Sequence, residues 1–406
     1  MKYTKDEVIQ YAREEDVKFI RLAFCDVFGK QKNISIMPDE LPRAFEYGIA
    51  FDGSAVAGFG DEAKSDLFLH PEPDTLMPLP WRPEHGRVVQ MFSAVTHPNG
   101  MPAPGDTRSL LKRAVDTAKK AGYSFTFSAE QEFYLFLLGE NSKSTMIPCD
   151  EAGYMDIAPE DHGENVRREV CLTLEKMGIR TESSHHEEGP GQNEIDLRFS
   201  DPLSAADNAQ TLQRVVRTAA HRNGFFADFS PRPLADAPGN GFHINLSLDP
   251  FEKAAFSHMI AGVLANIRAM TVFLDPFENS YQRLGNQKAP KYVSWSAENR
   301  SQLVRIPAAV GEYRRMELRS PDPGANPYLA FVLMICAGLH GIQNKLPLPE
   351  AADFNLYTAG QGLLSRLEKL PESLAEASAI AVASDFIKAN IPPEILAAYC
   401  GGRNLS

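Results

Sequence analysis

Along this chain, apolar and polar positions alternate in short runs before position 100 and mix with helical periods beyond it. A charged segment of helical pattern, MKYTKDEVIQYAREEDV, comes first. VKFIRLAFCDVFGKQKNISI then reads as two strands around a turn at Phe28-Gly29-Lys30. A Gly-rich loop, FDGSAVAGFGD (51–61), and Pro-rich connections through Pro80 and Pro83 lead to a further strand, RVVQMFSAV. The Pro/Gly cluster around 97–105 predicts a boundary between a small domain, 1–103, and a larger one, 104–406. Past it, DTRSLLKRAVDTAKKAG has an N-cap candidate in Asp106 or Thr107 and a stop at Gly122. Further helices are predicted near 162–178, 203–222, 254–271 and 326–342, and CGGRNLS reads as a frayed tail.

Four candidate strands carry an unusual polar face. In SFTFSAEQEFYLF, Glu130 and Glu132 share one side, opposite Phe127, Gln131 and Phe133. NEIDLRF sets Glu194, Asp196 and Arg198 against Ile195, Leu197 and Phe199; GFHINLSL sets His243, Asn245 and Ser247 against Phe242, Ile244 and Leu246. RRMELRS sets Arg315, Glu317 and Arg319 against Met316 and Leu318. Any one alone reads as a half-solvated strand. Together they use carboxylate, imidazole and guanidinium almost without lysine, which a merely solvated face has no reason to do.

Residues two apart on a strand lie roughly 6.5–7 Å apart on one side, so Glu130 and Glu132 repel unless a cation intervenes. Hard divalent ions, magnesium or manganese, meet that need through carboxylate oxygen and an occasional imidazole. The inventory predicts a strand-walled cavity of six ligands, Glu130, Glu132, Glu187, Glu194, His243 and Glu317, enough for two ions. Paired divalent ions point to phosphoryl transfer. Arg300, Arg305, Arg315 and Arg319 can hold a carboxylate or phosphate through the guanidinium fork. His185 and His186 point to opposite sides if extended, so at most one meets the metals. No His-x-x-x-His spacing supports zinc.

The net charge of -12 over 406 residues argues against nucleic acid or an anionic membrane as the main partner. It leaves room for an anionic substrate, since local arginines or a bound cation reverse the field inside a cleft. Five scattered cysteines without a C-x-x-C pair predict a reducing, cytoplasmic setting. The N-terminus does not read as a signal peptide, and the longest apolar run, 327–342, is too short to span a bilayer.

The motifs FDGSAVAGF, AEQEF, SSHHEEGPGQNEID, GNGFHINLSL, NRSQLVRIP and MELRSPDPGANPYLA together resemble glutamine synthetase of the bacterial class I type, in order and spacing, from about residue 17 to about 390. The resemblance implies an α+β fold, with a small N-terminal β-grasp domain and a catalytic domain built on a curved antiparallel sheet flanked by helices. It implies that ATP phosphorylates the side-chain carboxylate of glutamate and that ammonia displaces the phosphate. By the same resemblance Glu132, Glu187 and Glu194 hold one metal, and Glu130, His243 and Glu317 the other. Gly239, Arg283, Arg300 and Arg319 meet glutamate and the γ-phosphoryl group. Asn245, Ser247, Arg305 and Arg315 lie on the nucleotide side, and Asp52 binds and deprotonates ammonium. It further implies a homo-oligomer, a hexameric ring or stacked double ring, in which one subunit's small domain completes its neighbour's site.

The chain departs from the family pattern in several places. Pro238-Gly239-Asn240-Gly241 replaces Asn-Gly-Ser-Gly, Ala55 stands where a second serine is usual, and the tail after Ile391 is short. In the flap RLGNQKAP (283–290), Lys288 occupies the place of a glutamate expected before Ala-Pro. Two further readings therefore stand beside a glutamate–ammonia ligase. One is a γ-glutamyl ligase acting on an organic amine. The other is a catalytically silent relative, which has no physical reason to keep five repelling carboxylates together.

Overall fold

The computed structural model describes residues 3–60, 62–82, 85–286, 288–309 and 314–401. The tail beyond 401 and position 287 of the flap lie outside the described residues. Helix α1 (Lys5–Glu14) begins with a reciprocal cap: the Thr4 hydroxyl accepts from the Glu7 amide, and the Glu7 carboxylate accepts from the Thr4 amide at 2.7 Å. The expected hairpin follows as β1 (Val17–Cys25) and β2 (Gln31–Ile36).

After α2 (Leu41–Tyr47) come β3 (Ile49–Asp52), β4 (Asp66–Pro71), β5 (Met77–Pro78) and β6 (Arg87–Thr96). The sheet order is β2-β1-β6-β4-β3, with β5 beside β6 and β1 parallel to β6. The stretch expected to be loop at 51–61 thus begins in a strand, and the Pro-rich connection contains β4. Pro71 and Pro73 hide the strand signal, while the alternation that defines it buries Leu67 and Leu69 completely.

The second sheet has nine strands: β7 (Ser124–Leu138), β8 (Ser144–Pro148), β9 (Thr181–His186), β10 (Gln192–Leu197), β11 (Phe225–Asp228), β12 (Phe242–Asp249), β13 (Trp295–Ala297), β14 (Val304–Ile306) and β15 (Met316–Leu318). Their order is β13-β14-β15-β12-β7-β10-β9, with β8 and β11 also on β7. All neighbours are antiparallel except β13 and β14.

Helices α3 (Thr107–Lys120), α4 (Glu164–Lys176), α5 (Pro202–Arg222), α6 (Lys253–Leu274), the short α7 (Ser280–Arg283) and α8 (Pro327–Gln343) fall where the periodicity placed the long ones. Asp106 caps α3 by accepting from the Ser109 amide at 3.0 Å. Helix α6 is long and apolar enough to cross a membrane, but most of it is buried inside the protein, packed against α8. The two helices touch at Gly262 and Gly341, where an added Cβ would come within 2.0 Å of the opposite backbone.

Strand β7 is the spine of the site. Its odd positions face the helices: Phe127 stacks on Phe331 of α8 at 4.2 Å, and Gln131 donates to the Ala209 carbonyl of α5 at 3.0 Å. Its even positions, Glu130 and Glu132, therefore face the other way. Two helix caps tie the small domain to the helical layer: Asn326 before α8 donates to the Val27 carbonyl at 3.0 Å, and Asp106 before α3 accepts from the Val95 amide of β6 at 2.8 Å.

Candidate active site

Strand register carries the acids to one place. Glu194 lies directly opposite Glu132, Asp196 opposite Glu130, and His243 opposite Glu130 on its other side. Directly paired residues project to the same face, so three strands raise one continuous acidic patch. It floors a cavity of about 700 Å³.

Glu130, Glu132, Glu187, Glu194, His243, Gly239, Arg283, Arg300, Arg305, Arg315 and Arg319 all line that cavity. Glu317 stands just behind, fully buried, with its Oε1 3.8 Å from His243 Nδ1. Asn245 and Ser247 are not among the lining residues. Asn245 bridges two that are, donating to Glu130 at 2.7 Å and accepting from Arg315 Nε at 3.0 Å. Ser247 donates to the Arg314 carbonyl at 2.9 Å. Asp52 ends β3 in the other sheet, exposed and outside the cavity.

Donors gather within 4.8 Å in three overlapping sets here, Glu130–His243–Glu317, His185–Glu187–Glu194 and Glu130–Glu194–Asp196. Glu132 stands beside these sets, opposite Glu194 in the strand register, accepting from the Gly241 amide at 2.8 Å and lying 3.8 Å from His243 Nε2. Gly241 permits this approach, because a Cβ there would meet His243 Nε2 at 2.5 Å. The loop 187–191 places Glu187 against His185 at 3.0 Å. His186 turns to the other side, where its Nδ1 meets the Glu187 carbonyl at 2.6 Å and its Nε2 meets Asp150 at 2.9 Å. Both its ring nitrogens are occupied within the protein.

The electrostatics of the acidic wall ask for a cation. Burial, then Asp196, Glu132, Glu130 and Glu187, push the Glu194 carboxyl well above its ordinary range. Burial and Glu130 raise Asp196 to about 6. Burial raises Glu132 despite His243 beside it. Glu317 is the contrast: burial opposes its ionisation, but Arg319, His243 and Arg305 outweigh it and bring the carboxyl down to about 2. Arg305 donates to Glu317 at 2.7 Å, and Arg319 donates to its other oxygen. Oxygen donors with at most one imidazole in each set, crowded until several resist ionisation, fit a hard divalent ion.

Cations line the same cavity, Arg305 and Arg319 beside Glu317 and Arg283 farther along. Arg283 donates to the carbonyls of Ser320 at 2.6 Å and Arg319 at 3.3 Å. Gly239 packs on it so tightly that a Cβ would come within 2.8 Å of Arg283 Cγ. Lys288, in a left-handed backbone conformation (φ 69°), lines the rim and pairs with Glu188 across the mouth. Tyr154 and Met155 also line the cavity, and neither was anticipated. They belong to a segment without regular structure, where no periodicity could mark them. The Tyr154 ring meets His185 edge-on at 5.3 Å. Asp196 was on the predicted face and simply not singled out.

Residues 16–98 match the glutamine synthetase β-grasp domain, and residues 104–404 match the glutamine synthetase catalytic domain. The chain is 40% identical over 418 aligned positions to a glutamine synthetase of Clostridium saccharobutylicum, covering 99% of this chain and 94% of that one. It is 42% identical over 412 positions to a glutamine synthetase of Methanosarcina mazei, covering 98% and 92%. Among solved structures, GmaS in complex with ADP superposes with a TM-score of 0.87 at 26% identity, covering 97% of this chain and 94% of that one; GmaS without ligand gives the same values.

Proposed function

Because the chain belongs to the glutamine synthetase family, we propose that it joins ammonia to the side-chain carboxylate of glutamate, with ATP as phosphoryl donor. One observation carries this reading: Glu130, Glu132, Glu187, Glu194 and His243 line a single cavity together with Arg283, Arg300, Arg305, Arg315 and Arg319, with Glu317 buried just behind. A carboxylate is a poor electrophile, and conversion to an acyl phosphate supplies the leaving group that an amine can displace.

Glu132, Glu187 and Glu194 would hold one magnesium or manganese ion, and Glu130, His243 and Glu317 a second. The ions would neutralise charge on the phosphates. Arg283, Arg300, Arg319 and Gly239 receive glutamate and the transferred phosphoryl group. Arg319 and Arg300 stabilise the charge that develops during transfer. Arg305 and Arg315, with Asn245 and Ser247, lie on the nucleotide side.

Asp52 takes the proton from ammonium. Its carboxyl is held below the ordinary range by the Ser54 hydroxyl at 2.6 Å and the Ser54 amide at 2.9 Å, so it is ionised at neutral pH. Since Asp52 is exposed and outside its own subunit's cavity, it serves the cavity of a neighbour in a homo-oligomer, a hexameric ring or a stack of two.

A second reading, an organic amine as acceptor, is favoured by Lys288, which places an ammonium group on the rim where the family pattern has a carboxylate. Phosphate release from ATP with glutamate decides between them. Turnover with ammonium alone supports the first reading. Turnover only with an amine supports the second, and no phosphate release with either overturns both.

A further inference from the structure

A second cavity, of about 1030 Å³, lies between the N-terminal sheet and the catalytic domain. Arg21 of β1, Lys30 beyond it, and Arg214 and Arg217 of α5 all face it. Among the described residues, none of these four cations has a carboxylate within salt-bridge distance. The chain holds 53 acidic residues against 41 basic ones, so a shortage of acids does not explain it. Arg222 on the same wall already pairs with Glu169 at 3.0 Å, and Asp228 is bound by the Ser230 amide at 2.7 Å.

The arginines are held in place but left unsatisfied. Arg214 lies over the Trp81 ring at 5.0 Å and bonds Gln90 through Nη1, yet its Nε and Nη2 are buried without a hydrogen-bond partner. Arg21 Nε is buried and unpartnered as well. Arg217 lies over Phe229 at 4.7 Å. Burial, then the charges of Arg21 and Arg82, hold the Arg214 guanidinium down to about 10. A buried guanidinium without an acid is costly. The aromatic contacts fix the Arg214 and Arg217 side chains at the cavity wall, and a guanidinium fork matches carboxylate or phosphate oxygens.

We propose that this cavity is an anion-binding site separate from the catalytic one, taking a small ligand with at least two negative charges on carboxylate or phosphate groups. Arg21 and Arg214 are its principal donors, with Lys30 and Arg217 adding charge at its walls. The ring contacts of Arg214 and Arg217 hold both side chains at the cavity before any ligand arrives.

The test is calorimetric titration of the full-length protein with sodium pyrophosphate and, separately, with succinate, in EDTA and at constant ionic strength. Arg21→Gln and Arg214→Gln are compared with Arg319→Gln in the catalytic cavity. Saturable binding of at least one anion, weakened tenfold or more by Arg21→Gln and by Arg214→Gln but kept by Arg319→Gln, is the expected result. The anion that binds more tightly identifies the source as phosphate or dicarboxylate. Binding unaffected by Arg21→Gln, binding lost only in Arg319→Gln, or no binding of either anion overturns the proposal. Arg21→Gln keeps the test decisive if loss of the Trp81 contact unfolds Arg214→Gln. None of these outcomes bears on glutamate-dependent phosphate release, so this proposal and the ligase reading can fail separately.

Discussion

Arg283 and Asp275 stand 3.8 Å apart, both buried, the arginine lining the cavity and the aspartate outside its lining. Neither Asp275 oxygen has a hydrogen-bond partner, and burial together with Asp322 drives its carboxyl well above the ordinary range. Asp322 is likewise raised, to about 6, chiefly by burial. An acid whose folded pKa exceeds its unfolded value binds more protons when folded, so stability falls as pH rises from near 4 through 6. The expectation is that wild type loses on the order of 2–3 kcal/mol across that window relative to Asp322→Asn. Urea unfolding of both proteins at pH 4.5 and 7 measures the difference. Parallel profiles would show that the pair is not titrating.

Removal of a metal ligand should show in binding as well as in rate. Glu132 lies 3.8 Å from His243 and directly opposite Glu194 in the strand register. Glu132→Ala is expected to lower the number of bound magnesium or manganese ions and to cut kcat/KM by about a hundredfold or more, about 3 kcal/mol of transition-state stabilisation. EDTA should abolish wild-type turnover. Full metal stoichiometry and full activity in the variant would falsify the assignment.

Lys288 and Glu188 are paired across the mouth, so Lys288→Glu both removes a cation and leaves two acids facing each other. A local change of two charge units attracts ammonium. The variant should lower the ammonium KM severalfold and raise kcat/KM, with Lys288→Ala falling between. A wild-type enzyme that saturates at low ammonium, is unimproved by either change and ignores amines leaves the lysine without a role.

Asp52 and the acidic wall belong to different sheets, which makes a complementation test available. Co-assembling Asp52→Ala with Glu132→Ala should restore a fraction of activity that neither mutant has alone, because some sites receive one intact half from each parent. A fully active monomer by light scattering rules out shared sites.

The period-two alternation in β7, β10 and β12 was enough to put Glu130, Glu132, Glu194 and His243 on one face, because both faces of these strands are under constraint. Glu317 was also on the right face, although its strand is only three residues long and Arg319 and Arg305 cover it. Strand β4 is masked in the sequence by Pro71 and Pro73 at its C-terminal end. Tyr154, Met155 and the Lys288–Glu188 pair escaped because irregular segments carry no periodicity and long-range pairing leaves no local trace. The second cavity was equally illegible: Arg21 and Arg214 are 193 positions apart, and no local pattern links a strand residue to a helix residue at that distance.

Gln131 separates Glu130 from Glu132 and anchors β7 to α5 from the hidden side. A strand is a stiff plank, and whatever tilts one of its faces tilts the other. Lesions in the helical layer, at Ala209 or at the Phe331 stack, would therefore surface as faulty ion coordination some distance away. An enzymologist who meets such a variant would see a metal-affinity phenotype with every ligand intact, and would have to look through the sheet to find its origin.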